Sequence, residues 1–151
     1  MLITEGQKAP DFIANIADGT KIRLSDFRGK KVVLYFYPKD NTPGCTKEAC
    51  SLRDTYGEIL DKGAVVIGVS PDNIQSHDRF AKKYDLPFYL ASDQNHHIAE
   101  AYGVWAEKKL FGKLGFGILR STFIINEEGD ISKVFAKVNT SEHGNEVLVY
   151  L

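Results

Sequence analysis

Apolar residues fall along this chain in two kinds of run. Short, nearly continuous stretches at Lys31–Tyr37 and Ala64–Ser70 have the length and β-branched content of strands buried on both faces. Between and after them the period changes to that of amphipathic helices, from Pro43 to about Lys62 and over Asn73–Tyr84, the latter stopped by Pro87. A parallel β-α-β unit follows from this alternation. A short strand at Phe88–Ala91 and a helix at His97–Tyr102 come next.

Ahead of that unit, strand candidates at Asp11–Asn15 and Ile22–Leu24 flank the turn Asp18-Gly19 and read as a hairpin, followed by a capped turn at Ser25-Asp26-Phe27. Beyond it, strands at Ser121–Ile125 and Asp130–Phe135 are joined by Asn126-Glu127-Glu128-Gly129, a second hairpin signal, and Ser141–Tyr150 closes as a helix. The order β-α-β then β-β-α predicts an α/β, thioredoxin-like fold: a central mixed β-sheet flanked by helices, with an N-terminal β-hairpin extension, as one domain over residues 1–151. Glu107–Gly117, rich in glycine, reads as a mobile loop near the active site.

Composition narrows the function classes. With 43% hydrophobic residues over 151 positions, the chain has enough apolar content for a core without a disulfide. Its 19 basic and 20 acidic side chains give a net charge of −1, with no basic stripe beyond Lys108-Lys109, so nucleic acid and anionic membranes are poor partners. No signal peptide or transmembrane segment is evident, and a cytoplasmic location is the expectation. In that compartment a disulfide is more often catalytic than structural.

The chemistry is carried by one of only two cysteines. Thr42 is a good N-cap residue, and Pro43 suits the first helical position, where its missing N–H costs nothing. Cys45 therefore falls in the first helical turn, where open N–H groups and the helix dipole favour thiolate over thiol. Gly44 beside it leaves the backbone approachable. The bland alternative for both cysteines is a small buried hydrophobe.

Cys45 shares a helical stripe with Ala49, Leu52, Tyr56 and Ile59, whereas Cys50 points away from it. Five positions on a regular helix separate Cα atoms by roughly 8–9 Å, more than the roughly 4.4–6.8 Å a disulfide spans. If the two form a redox pair, the first turns of the helix must unwind. The spacing is not Cys-x-x-Cys, and two cysteines cannot complete an iron–sulfur or four-thiolate zinc site. The four histidines, His77, His96, His97 and His143, read as solvated surface residues, so no metal is expected.

The motif Pro38-x-x-x-Thr42-x-x-Cys45 resembles the peroxiredoxin active-site signature. The run Cys50-Ser51-Leu52-Arg53-Asp54 is similar to the bacterioferritin comigratory protein, or peroxiredoxin Q, branch. Gly6-x-x-Ala9-Pro10-Asp11-Phe12 and Gly117-Ile118-x-Arg120-Ser121-Thr122-Phe123-Ile124-Ile125 extend the resemblance over nearly the whole chain. Leu52, where the family more often carries Phe, is a small departure.

The resemblance implies a thiol peroxidase. Cys45 would be the peroxidatic cysteine, Cys50 the resolving cysteine of the same helix, Thr42 and Arg120 the rest of the peroxide site, and Pro38 its shield. Read alone, Arg120 is a surface or salt-bridging arginine and Thr42 only a cap. Tyr37 and Trp105 suit core packing better than the substrate mouth. Implied partners are hydrogen peroxide or an alkyl hydroperoxide, and thioredoxin or a similar dithiol, with no cofactor. The apolar end of the last helix leaves the oligomeric state, monomer or weak dimer, open. Three rivals remain: a one-cysteine peroxidase, a redox-sensing binding module and a scaffold without chemistry.

Overall fold

The structure, a computed structural model, describes residues 2–110 and 112–151, with Leu110 described by its backbone. Nine strands and five α-helices follow one another along the described chain. They are β1 (Ile13–Ile16), β2 (Lys21–Arg23), β3 (Lys31–Phe36), α1 (Pro43–Asp54), α2 (Tyr56–Asp61), β4 (Ala64–Ser70) and α3 (Ile74–Tyr84). Then come β5 (Tyr89–Ser92), α4 (His97–Ala101), β6 (Trp105–Leu110), β7 (Lys113–Ile118), β8 (Ser121–Ile125), β9 (Ile131–Phe135) and α5 (His143–Leu148).

Seven strands form one mixed sheet in the order β2-β1-β5-β4-β3-β8-β9. The parallel β3-β4-β5 centre is the expected β-α-β unit, and β8 and β9 add antiparallel on one side. The fold is thioredoxin-like, as the sequence predicts. The N-terminal hairpin also forms, but β1 pairs with β5 and so extends the main sheet rather than standing apart from it.

Alternation along β3 divides the interior in two. Val32, Leu34 and Phe36 pack with Ile67, Phe123, Ile98 and Tyr102 on the α4 side. Val33, Tyr35 and Tyr37 point to the other face, where Cys45, Ala49, Leu52 and Ile59 of the first two helices meet Phe80 and Val147. The predicted helical stripe is thus the buried one. Tyr35 is accommodated because its partner across the ladder is Gly68, where a Cβ would lie 2.7 Å from the tyrosine ring.

Several expectations are corrected. The helix predicted to run to Lys62 breaks at Thr55, whose hydroxyl donates to the carbonyls of Ser51 (3.0 Å) and Leu52 (3.3 Å) and so competes with helix continuation. The glycine-rich stretch expected as a mobile loop is the hairpin β6-β7, in register from Trp105↔Ile118 to Leu110↔Lys113. Gly112 supplies a positive φ at its turn, and Phe111 of that stretch lies outside the described residues.

His77 and His143 are fully buried rather than solvated, and His96 stacks on Trp105 at 3.7 Å, leaving His97 as the exposed one. The closing helix is shorter than expected at both ends. Among the described residues no helix is long and apolar enough to cross a membrane.

Candidate active site

Thr42 occupies the N-cap position of α1 with extended backbone, and Pro43 is its first helical residue, as the sequence predicts. The Thr42 side chain, however, does not cap: its hydroxyl donates to the Lys39 carbonyl at 2.8 Å. With its one hydrogen committed there, Oγ1 offers lone pairs to its surroundings. The first intrahelical bond runs from the Thr46 N–H to the Thr42 carbonyl, so the Gly44 and Cys45 N–H groups belong to the open end of the helix.

Cys45 is almost completely buried, 1% exposed, with its sulfur on the core side of α1. The Arg120 guanidinium reaches it from the segment between β7 and β8. Nη2 donates to Cys45 Sγ at 3.2 Å while Nη1 donates to Glu48 Oε1 at 2.6 Å. A cation with two arms is therefore fixed on one side by a carboxyl and presented on the other to a thiol. Gly44 makes room for it, since a Cβ there would stand 3.3 Å from Nη2. The small residue serves the arginine as well as the backbone approach that the sequence suggested.

Glu48 was not singled out by sequence. It is 0% exposed, and its second oxygen, Oε2, has no hydrogen-bond partner among the described groups. Burial pushes its carboxyl up to about 7, against the attraction of Arg120. His143 Nε2 lies 3.8 Å from Oε2 but is engaged by the Thr122 hydroxyl at 2.7 Å, and His143 Nδ1 meets Glu146 Oε1 at 2.8 Å. Burial pushes His143 down, toward the neutral ring. Nδ1–H then donates to Glu146, and the Thr122 hydroxyl donates to Nε2.

The signal for Glu48 was available. It stands three residues after Cys45, on the edge of an apolar stripe where a carboxylate is out of place unless paired.

The loop from Pro38 to Thr42 is held from beneath. The Tyr37 hydroxyl donates to Asp40 Oδ1 at 2.6 Å, the Ser76 hydroxyl to Oδ2 at 2.8 Å, and His77 Nδ1 lies 2.8 Å from that same oxygen. The Asp40 N–H donates to Asp72 Oδ2 at 2.7 Å. Tyr37 is thus a core and scaffold residue, and Pro38 sits half-buried in the turn that it begins. Asp40, Asp72 and His77 present ligand atoms within 4.8 Å of one another, as a metal site would. Each already has protein partners, with His77 Nε2 at 3.0 Å from the Ala91 carbonyl, so the trio reads as a lock on the loop.

Cys50 is partly exposed, and both cysteines are free thiols in this structure. They lie on one unbroken helix, α1, in the arrangement that forbids a disulfide without unwinding.

A buried thiol at a helix start, faced by a tethered arginine on a thioredoxin-like scaffold, defines a thiol-based redox protein. The AhpC/TSA family model matches residues 5–134. A putative peroxiredoxin bcp of Coxiella burnetii is 50% identical over 148 residues, covering 98% of this chain and 98% of that one. Peroxiredoxin Bcp of Bacillus subtilis is likewise 50% identical, covering 98% and 94%. Among solved structures, that of the Xanthomonas campestris bacterioferritin comigratory protein, described for its alkyl peroxide reduction activity, superposes with a TM-score of 0.90 at 35% identity over 97% of this chain and 96% of that one. The chain belongs to the AhpC/TSA family, as a peroxiredoxin of the Bcp, or peroxiredoxin Q, kind. It is a thiol-dependent peroxidase.

Proposed function

We propose that this enzyme reduces hydrogen peroxide and alkyl hydroperoxides through Cys45, is resolved by Cys50 within the same helix, and is returned to the dithiol by thioredoxin or a similar protein. The observation that carries the reading is the Arg120 contact, 3.2 Å from Cys45 Sγ, with the second arm of the guanidinium held by buried Glu48. The alkyl peroxide activity named for the Xanthomonas relative supports the substrate class.

The peroxide lies between Sγ, Arg120 and the Thr42 hydroxyl. Thr42 Oγ1 accepts from the peroxide O–H, which keeps its own bond to Lys39 intact. The thiolate attacks the nearer oxygen, the S–O bond forms as O–O breaks, and the departing oxyanion is stabilised by the guanidinium and takes a proton to leave as water or alcohol. Pro38 shields the sulfur from bulk water.

The sulfenic acid then waits on the helix. Once α1 opens, Cys50 attacks the Cys45 sulfur, the S–S bond forms, and hydroxide leaves and is protonated to water. The external dithiol reduces the disulfide.

The test is peroxide consumption by wild type, Cys45→Ser and Cys50→Ser, each with a thioredoxin system and separately with dithiothreitol. We expect Cys45→Ser to be inactive and Cys50→Ser to turn over with dithiothreitol alone. Full thioredoxin-linked turnover by Cys50→Ser would remove Cys50 as the resolver and leave a one-cysteine peroxidase. Stoichiometric oxidation of wild type without turnover would favour a redox-sensing role.

A further inference from the structure

We propose that Glu48 is a positioning residue of the resolving step: it keeps a proton while α1 is wound and gives it up to solvent when α1 opens, so that rising pH drives the opening that joins Cys45 to Cys50. This rests on the two-cysteine reading above.

Glu48 lies between the two cysteines on α1 and is 0% exposed. Closing the gap between positions 45 and 50 cannot leave it where it is, because the segment that must unwind contains it. Its wound environment suits a neutral acid. Oε2 has no partner among the described groups, and the one cation within hydrogen-bonding reach, Arg120, spends its other arm on Cys45.

The remaining neighbours do not help the anion. From β3 comes the Tyr35 phenol, itself buried and unpartnered. From α5 come His143, whose ring is pushed toward neutrality by burial, and Glu146, whose charge opposes a second one nearby. Cys45 is the neighbour on the helix itself. Burial accordingly raises the Glu48 carboxyl from 4.5 to about 7 in the wound form.

A group raised in the wound form favours winding fully below its ordinary value, and that preference disappears as pH climbs through the raised one. The opened-to-wound ratio therefore rises between pH 4.5 and about 7, by up to about 300-fold. His143 has the opposite sign, but it belongs to α5, and its bonds to Thr122 and Glu146 do not pass through α1. The chemical consequence falls on Cys45. At acid pH the sulfenic acid stays on the wound helix, exposed to a second peroxide that carries it to sulfinic acid, whereas near neutrality the helix opens and Cys50 resolves it.

Two measurements test this. A 13C titration of the Glu48 carboxyl should give a value near 7 in the reduced enzyme and near 4.5 in the disulfide form. Hydrogen exchange of the α1 amides in the reduced enzyme, corrected for intrinsic rates, should show opening that increases tens- to hundreds-fold from pH 4.5 to 7.5, and Glu48→Gln should flatten that profile. Equal carboxyl values in the two forms overturn the proposal, as does a pH-independent opening or an unchanged slope in Glu48→Gln. Should that variant fail to fold, the wild-type titration decides alone. If peroxide produces no disulfide, the two-cysteine reading falls, while the exchange data, which need no oxidant, still decide whether opening is proton-linked.

Discussion

At the scale of single residues, the site turns on the shape of one cation. Arg120 binds Cys45 with one nitrogen and Glu48 with another, at 3.2 and 2.6 Å, and a planar fork is the side chain that can do both. Arg120→Lys keeps the charge but offers a single ammonium, which must choose between the carboxyl and the sulfur. We expect the second-order rate with peroxide to fall by about 10²–10³-fold while circular dichroism stays unchanged. A loss under threefold would mean that charge without geometry suffices. Legibility at this scale was uneven. The motif marked Cys45, Thr42, Pro38 and Arg120, but the spacing of positions 45 and 120 says nothing of their meeting, and only the resemblance joined them. Glu48 and Asp40 went unread, and His77 and His143 were misread as solvated, because a single ionisable residue in a sequence does not reveal which buried partner it meets.

At the scale of elements, α1 is the scaffold of the thiol and, in the proposed resolution by Cys50, the part that has to come apart. Its far end is fastened: the Gly144 N–H donates to Ser51 Oγ at 2.8 Å, and Arg53 donates to the Tyr84 carbonyl at 2.7 Å. A Cβ on Gly144 would run into Thr55 Oγ1 and the Ser51 carbonyl, so α5 lies tight against the last turn of α1. With that end held, the opening that the proposed mechanism calls for falls to the turns between Pro43 and Cys50.

Lys47 sits within those turns and is exposed. Lys47→Gly should weaken the wound form by about 1 kcal/mol, roughly fivefold in the opening ratio, without altering any contact of the thiol. We expect mass spectrometry after a peroxide titration to show several-fold less sulfinic Cys45 than in wild type. An unchanged yield would place the bottleneck outside helix opening.

The sequence anticipated this helix from its cap, its proline and its stripe. It missed the break at Thr55, because hydroxyl back-bonding to a carbonyl is local chemistry that hydrophobic period does not register. The β6-β7 hairpin was missed for a related reason. Gly115 and Gly117 dilute the alternation that marks a strand, although Gly117 is what lets the Lys108 stem cross the hairpin.

At the scale of the whole molecule, the sheet separates two cores with different duties. The α4-side core, with Leu34, Ile67 and Phe123, includes neither cysteine, whereas the other contains Cys45 itself beside Ala49 and Leu52. Leu34 and Leu52 are both 0% exposed, so truncating either to alanine should cost about 2–5 kcal/mol of global stability. Their effects on the chemistry should differ. Leu34→Ala weakens the sheet from the side away from the thiol, and the folded fraction should react with peroxide and over-oxidise as wild type does. Leu52→Ala removes the anchor that presses α1 onto the sheet, which loosens the wound helix as well as the fold. Its sulfinic yield should fall along with its denaturant midpoint. The pair is compared by denaturant titration and by peroxide-dependent mass spectrometry at a temperature where both remain folded. Equal over-oxidation in the two variants would mean that the opening of α1 is governed by the stability of the whole sheet rather than by the core that it covers.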